Sequence, residues 1–120
     1  MSVQERLLYQ DRQLTISTAV APGLPAVPAV ALIGEIDVTN SRAVASTLAS
    51  CRQGTYIVVD TGELTFIDVS GLRVLAMPAL PPAERWIRLR NVTPYQRRLL
   101  RMLDWFYQPP KDVNVPLQQG

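Results

Sequence analysis

In "FIDVSGLRVL", residues 66–75, Asp68 and Ser70 stand one residue apart, ahead of Gly71 and a new apolar segment. A carboxylate so close to a hydroxyl suggests a nucleophile, a helix cap or a phosphate acceptor. Serine attack normally needs a base within hydrogen-bond reach. The chain has no histidine, and its one lysine, Lys111, lies near the C-terminus. The G-x-S-x-G elbow is also missing, since Ser70 sits in "DVSGL". A serine hydrolase does not fit, and we expect no catalysis by the chain itself. A phosphate acceptor fits better. Phosphorylation adds about −1.5 to −2 charge at pH 7, which the free N–H groups and dipole of a helix N-terminus tolerate. Gly71 would leave room for a partner to approach. On residue types alone, a serine that merely N-caps the following helix is the more ordinary reading.

Other chemistry is thinly represented. Glu35 with Asp37, or Asp60, Glu63 and Asp68, could gather at strand ends around a hard cation. Acidic residues there more ordinarily form turns or face water, so no metal site is expected. No glycine-rich phosphate loop of Walker or Rossmann type is present, and no cofactor is expected. Cys51 is the only cysteine, which excludes an intramolecular disulfide and a thiolate metal cluster. Its helical spacing from Val44 and Leu48 marks it as a small core residue. The formal net charge is only +2, and Arg97, Arg98 and Arg101 fall on the expected water face of a helix. They suit solvent or an acidic protein partner better than nucleic acid. The first residues, "MSVQERLLYQDRQ", lack the apolar core of a signal peptide, and no run approaches the roughly 20 apolar residues of a bilayer span. A cytoplasmic domain without membrane contact is expected.

The elements that must position these groups alternate between strand and helix. "QLTISTAV" alternates as a half-buried strand, with Leu7 to Tyr9 its candidate partner across "QDR". "APGLPAVP" breaks regular structure. "AVALIGEID" reads as a strand buried on both faces, and "TYIVVD" as a central strand. Thr39, Asn40 and Ser41 are all good caps for the helix in "SRAVASTLASC". "TGELTFID" reads as a connection to a short helix starting near Val69 or Ser70 and stopped by Pro78. "RWIRLR" gives a further strand, with Ile87 and Leu89 on one face. Thr93 and Pro94 open the last helix, whose apolar stripe is expected to be Tyr95, Leu99, Met102, Leu103 and Phe106, with Gln96 among the arginines opposite. At 120 residues and 48% apolar content the chain suits one core. The expected layout is one domain over 1–108 and a flexible tail over 109–120, with an α/β, largely parallel sheet.

Three segments, in order, resemble the STAS domain family, particularly bacterial anti-sigma factor antagonists: "LIGEIDVTNSRAV", "IVVDTGELTFIDVSGLRVL" and "LRNVTPYQRRLLRMLDW". The resemblance covers roughly residues 13 to 106 and implies a mixed sheet with helices packed mainly on one side. It further implies binding to an anti-sigma factor, often a serine kinase, that phosphorylates the serine of the D-x-S-G segment and so breaks the complex; a serine phosphatase restores it. That serine is Ser70, and Asp68 matches the motif's aspartate. Gly34, Glu35 and Asp37 match the earlier segment. The implied partner-binding surface takes in Asp68, Val69, Ser70, Gly71 and Leu72 with Glu35, Asp37, Thr39 and Asn40. The alternative is a STAS module that docks constitutively or senses a ligand, with Ser70 only capping its helix.

Overall fold

The computed structural model describes residues 6–19 and 28–106, with the side chains of 104–106 left out. The proposed tail and most of the "APGLPAVP" loop lie outside these residues. Five strands form one sheet in chain order: β1 (Leu7–Gln10), β2 (Leu14–Ala19), β3 (Ala29–Ile36), β4 (Ile57–Ile67) and β5 (Ile87–Arg90). The sheet is mixed: β1, β2 and β3 pair antiparallel, whereas β3–β4 and β4–β5 are parallel. The parallel pairs are joined by crossover helices α1 (Ser41–Cys51) and α2 (Val69–Ala76), and α3 (Pro94–Phe106) follows β5.

The core lies between one sheet face and the helices. Leu14, Ile16, Val30, Leu32, Ile57, Val59 and Ile87 alternate onto that face and meet Val44 and Leu48 of α1, Leu72 and Leu75 of α2, and Leu103 of α3. Period-2 patterning in the strands and 3.6-residue patterning in the helices thus point into one cluster. The opposite face is more open. β3 is buried on both faces only at its start, and Ile33 and Glu35 are exposed, which corrects the expectation of a fully buried strand.

β4 is longer than its sequence suggests. "TGELTFI" is not a connection but the second half of the strand, paired to β3 with register shifts between Ala31 and Ile33 and between Gly34 and Glu35. β5 pairs only with Ile57 to Asp60, so the far half of β4 lacks a strand on that side. Gln96 takes over there. Its amide donates to the carbonyls of Thr61 (2.8 Å) and Leu64 (3.4 Å), and its Oε1 accepts from the Thr61 hydroxyl (2.7 Å). The same oxygen accepts from the Thr93 N–H (3.0 Å) while the Thr93 hydroxyl accepts from the Gln96 N–H (3.2 Å). This is a reciprocal capping box. Gln96 is therefore buried, at 5% exposure, whereas Tyr95 and Met102 are exposed. Among the described side chains the stripe of α3 is corrected to Gln96, Leu99, Leu100 and Leu103, because the capping box turns Gln96 toward β4; that of Phe106 lies outside them.

α2 ends where Met77 takes a left-handed conformation (φ 51°) and its N–H reaches the Arg73 carbonyl. Pro78 follows and cannot continue the helix. Met77 lacks the freedom of the glycine usual at such a stop, so the termination carries a conformational cost.

Candidate functional site

The site lies where parallel β3 and β4 end side by side. Ile36 and Ile67 are register partners, and the Asp68 N–H donates to the Ile36 carbonyl (3.2 Å). The β3–α1 loop and the start of α2 therefore leave the sheet as neighbours, at the strand carboxyl ends where open α/β sheets bind ligands.

Asp68, not Ser70, is the N-cap of α2. Its Oδ1 accepts from the Gly71 N–H (3.1 Å) and its carbonyl from the Leu72 N–H (2.9 Å). Ser70 sits in the first turn, half-buried, with its hydroxyl donating to the same Oδ1 (2.5 Å). The capping serine is thus corrected: Asp68 already supplies the acceptor that the helix needs, which leaves the Ser70 hydroxyl unnecessary for capping. Val69 beside it is 56% exposed.

Gly71 and Leu72 face inward. A Cβ at Gly71 would lie 2.7 Å from Ile36 Cγ2 and 2.8 Å from Ile67 Cγ1. The glycine lets α2 approach the strand ends; it does not clear space for a partner outside. Leu72 is 4% exposed and belongs to the core. Both are corrected as surface contacts, because the helical period turns them toward the sheet.

The β3–α1 loop divides similarly. Glu35 and Thr39 are exposed and Asp37 half-buried. Asp37 accepts from both the N–H and the hydroxyl of Thr39. The Thr39 bonds, the hydroxyl's foremost, hold its carboxyl below the ordinary aspartate pKa. Asn40 is 2% exposed, so it too is corrected as a contact residue. It occupies the cap position of α1 without a side-chain cap bond. Its Oδ1 instead accepts from the Asp37 N–H (2.9 Å), and its Nδ2 donates to the Glu35 carbonyl (3.0 Å) and Asp11 Oδ2 (3.1 Å). Val38 at the loop tip is 73% exposed and Phe66 43%. Neither belongs to the expected set, although an apolar residue between Asp37 and Thr39 was a readable signal.

Behind the loop, Asp11 is a hub that its polar "QDR" surroundings conceal. Its carboxylate accepts from the Tyr9 hydroxyl (2.7 Å), the N–H groups of Gln13 and Leu14 (2.8 Å each) and Asn40. Desolvation raises its pKa, but the Tyr9, Gln13, Asn40 and Leu14 bonds outweigh this and hold it below the ordinary aspartate value. Gly34, at φ 120°, completes the support: a Cβ there would overlap the Gln13 carbonyl oxygen, which accepts the Glu35 N–H (2.8 Å). A lowered folded-state pKa contributes stability that is present above the unfolded value and lost as pH falls through the folded one. Stability should therefore decline below about pH 4. Replacing Asp11 with Ala should make that decline shallower, as read from urea unfolding at several acidic pH values. An unchanged slope would show that the hub does not couple to folding.

The other sequence candidates do not converge. Asp60 is bound to the Gly62 N–H (2.9 Å), Asn91 (2.8 Å) and Arg90 (3.3 Å). Partial burial opposes its ionisation, but these three partners prevail and lower its pKa. Among the described residues no group of three or more histidine, cysteine or acidic side chains could hold a metal ion. Cys51 packs against the core, and burial pushes its thiol pKa up, the reverse of an activated thiolate. No helix among the described residues is long and apolar enough to cross a membrane.

The family model described as "Mlab, STAS domain" matches residues 21–106, which include the strand ends, the D-x-S-G segment and α3. The chain belongs to the STAS family. Its fold is shared with the crystal structure of an anti-sigma factor antagonist from Mycobacterium paratuberculosis: TM-score 0.51, 22% sequence identity, 80% of this chain and 86% of that one. No curated protein matches the chain. In this STAS domain the aspartate of the D-x-S-G segment caps α2, its serine is half-buried, and its glycine is a packing residue.

Proposed function

We propose that this STAS domain is an anti-sigma factor antagonist whose binding to an anti-sigma factor with serine kinase activity is switched off by phosphorylation of Ser70. The observation that carries the reading is the placement of Ser70: half-buried in the first turn of α2, relieved of capping by Asp68, and hydrogen-bonded to that carboxylate. Asp68 keeps the hydroxyl oriented, and the helix start offers a dianion a favourable dipole. The partner surface comprises Asp68, Val69 and Ser70 with Glu35, Asp37 and Thr39, extended by exposed Val38 and Phe66. Exposed apolar side chains among polar ones suit the centre and rim of a protein interface. Such a role needs neither catalysis nor a cofactor from this chain, and it belongs in the bacterial cytoplasm, where a serine phosphatase would reset the switch.

The test is to purify the protein with its bound partner from the native host, add ATP and measure intact mass. One phosphate on wild type and none on Ser70→Ala is the expected result. A stable complex that leaves Ser70 unmodified would instead favour a constitutively docking or ligand-sensing STAS module.

A further inference from the structure

Ser70 lies near the start of α2; at the other end of that helix is a cleft of about 330 Å³. It is lined by Ala76 and Pro78 after the α2 turn, by Arg85, and by Arg97, Leu100, Arg101 and Leu103 of α3. Its volume reaches the lower end of the roughly 300–1,000 Å³ range of small-molecule sites. Three guanidinium groups edge an apolar floor, and among the described residues no acidic side chain lines it. The one ion pair among the described residues, Arg90 with Asp60, involves none of the three. Arg85 is held by its Nε–H, which donates to the Leu80 carbonyl (2.9 Å) and leaves its terminal amino groups available. Among the described residues the Arg97 guanidinium makes only a 3.5 Å contact to the Val92 carbonyl.

We propose that this cleft binds an amphipathic organic anion, with a carboxylate or phosphate head held by Arg85, Arg97 and Arg101 and a short apolar body on Leu100, Leu103, Ala76 and Pro78. Planar guanidinium forks match both head groups. The spacing of Arg97 and Arg101 by four residues puts their side chains on one side of α3. The floor supplies the remaining contact by removing apolar surface from water. This site is independent of the Ser70 reading.

Calorimetric titration of the full chain with decanoate and with decyl phosphate tests the proposal. Saturable binding of at least one is expected, with roughly tenfold weaker binding in Arg97→Gln and in Arg101→Gln, the scale of one lost charge-assisted hydrogen bond. Both residues are exposed, so unfolding curves should match wild type. Acetate should bind at least about tenfold more weakly than decanoate, because it leaves the floor uncovered. Decyltrimethylammonium should not compete. Failure of both anions to saturate the site, or binding indifferent to the two substitutions, would overturn the assignment. Binding of a poly-glutamate peptide without either probe would also overturn it and make the arginines a protein-docking surface.

Discussion

Ser70→Asp should fold like wild type yet bind the anti-sigma partner more than about a hundredfold more weakly, a loss of about 3 kcal/mol. The two halves of this expectation have separate physical origins. Position Ser70 lies in the first turn of α2, where negative charge is favoured by the helix dipole. The core beneath it is carried by Gly71, Leu72 and Leu75, which the substitution leaves untouched. In a close interface the new carboxylate must instead be desolvated, next to an Asp68 already there. Ser70→Ala removes only the hydroxyl bond to Asp68, whose cap bond to the Gly71 N–H remains. It should fold and bind but accept no phosphate. Titration calorimetry with isolated partner, alongside urea unfolding of each variant, separates binding from folding. A mimic carries less charge than phosphate, so phosphorylated wild type should show a loss at least as large. Undiminished binding by Ser70→Asp and by the phosphoprotein would remove the switch from the account.

Gln96→Ala should cost about 2–4 kcal/mol of stability, although glutamine is ordinarily a surface residue. Truncation leaves the Thr61 hydroxyl and the Thr61 and Leu64 carbonyls without the partner that replaces β5, and it dissolves the capping box with Thr93. Each buried polar group deprived of its partner costs roughly 1–3 kcal/mol, though water entering the gap recovers part of the sum. Gln96→Glu provides a sharper comparison. It keeps an acceptor for Thr93 and the Thr61 hydroxyl but cannot, when ionised, donate to the two carbonyls, and it places a charge in a buried site. It should also destabilise. Arg98→Ala, on the exposed side of α3, should change stability by no more than about 0.5 kcal/mol. If Gln96→Ala were equally mild, the junction between α3 and β4 would not be a stabilising contact.

The sequence by itself determined which segments bury apolar surface and where several elements start. Val44 and Leu48, or Leu14 and Ile16, repeat at the period of their own element, and periodicity is a local property. Pro78 ends α2 and Thr93–Pro94 opens α3 through backbone chemistry that needs no distant partner. The order of three motifs was also readable, and with it the family and the place of Ser70. Tertiary structure alone decided the rest, because it depends on residues far apart in the chain. The length of β4 comes from pairing with β3, which captures "TGELTFI" despite its polar pattern. Gln96 turns inward because β5 stops short and leaves carbonyls some thirty residues upstream to be satisfied. Asp11 becomes a hub only when the β1–β2 turn meets Asn40, and Gly71 is needed only because Ile36 and Ile67 lie beneath it. A hydrogen bond or a close contact between distant residues has no period to read, since its partner is set by strand register and by where neighbouring strands end.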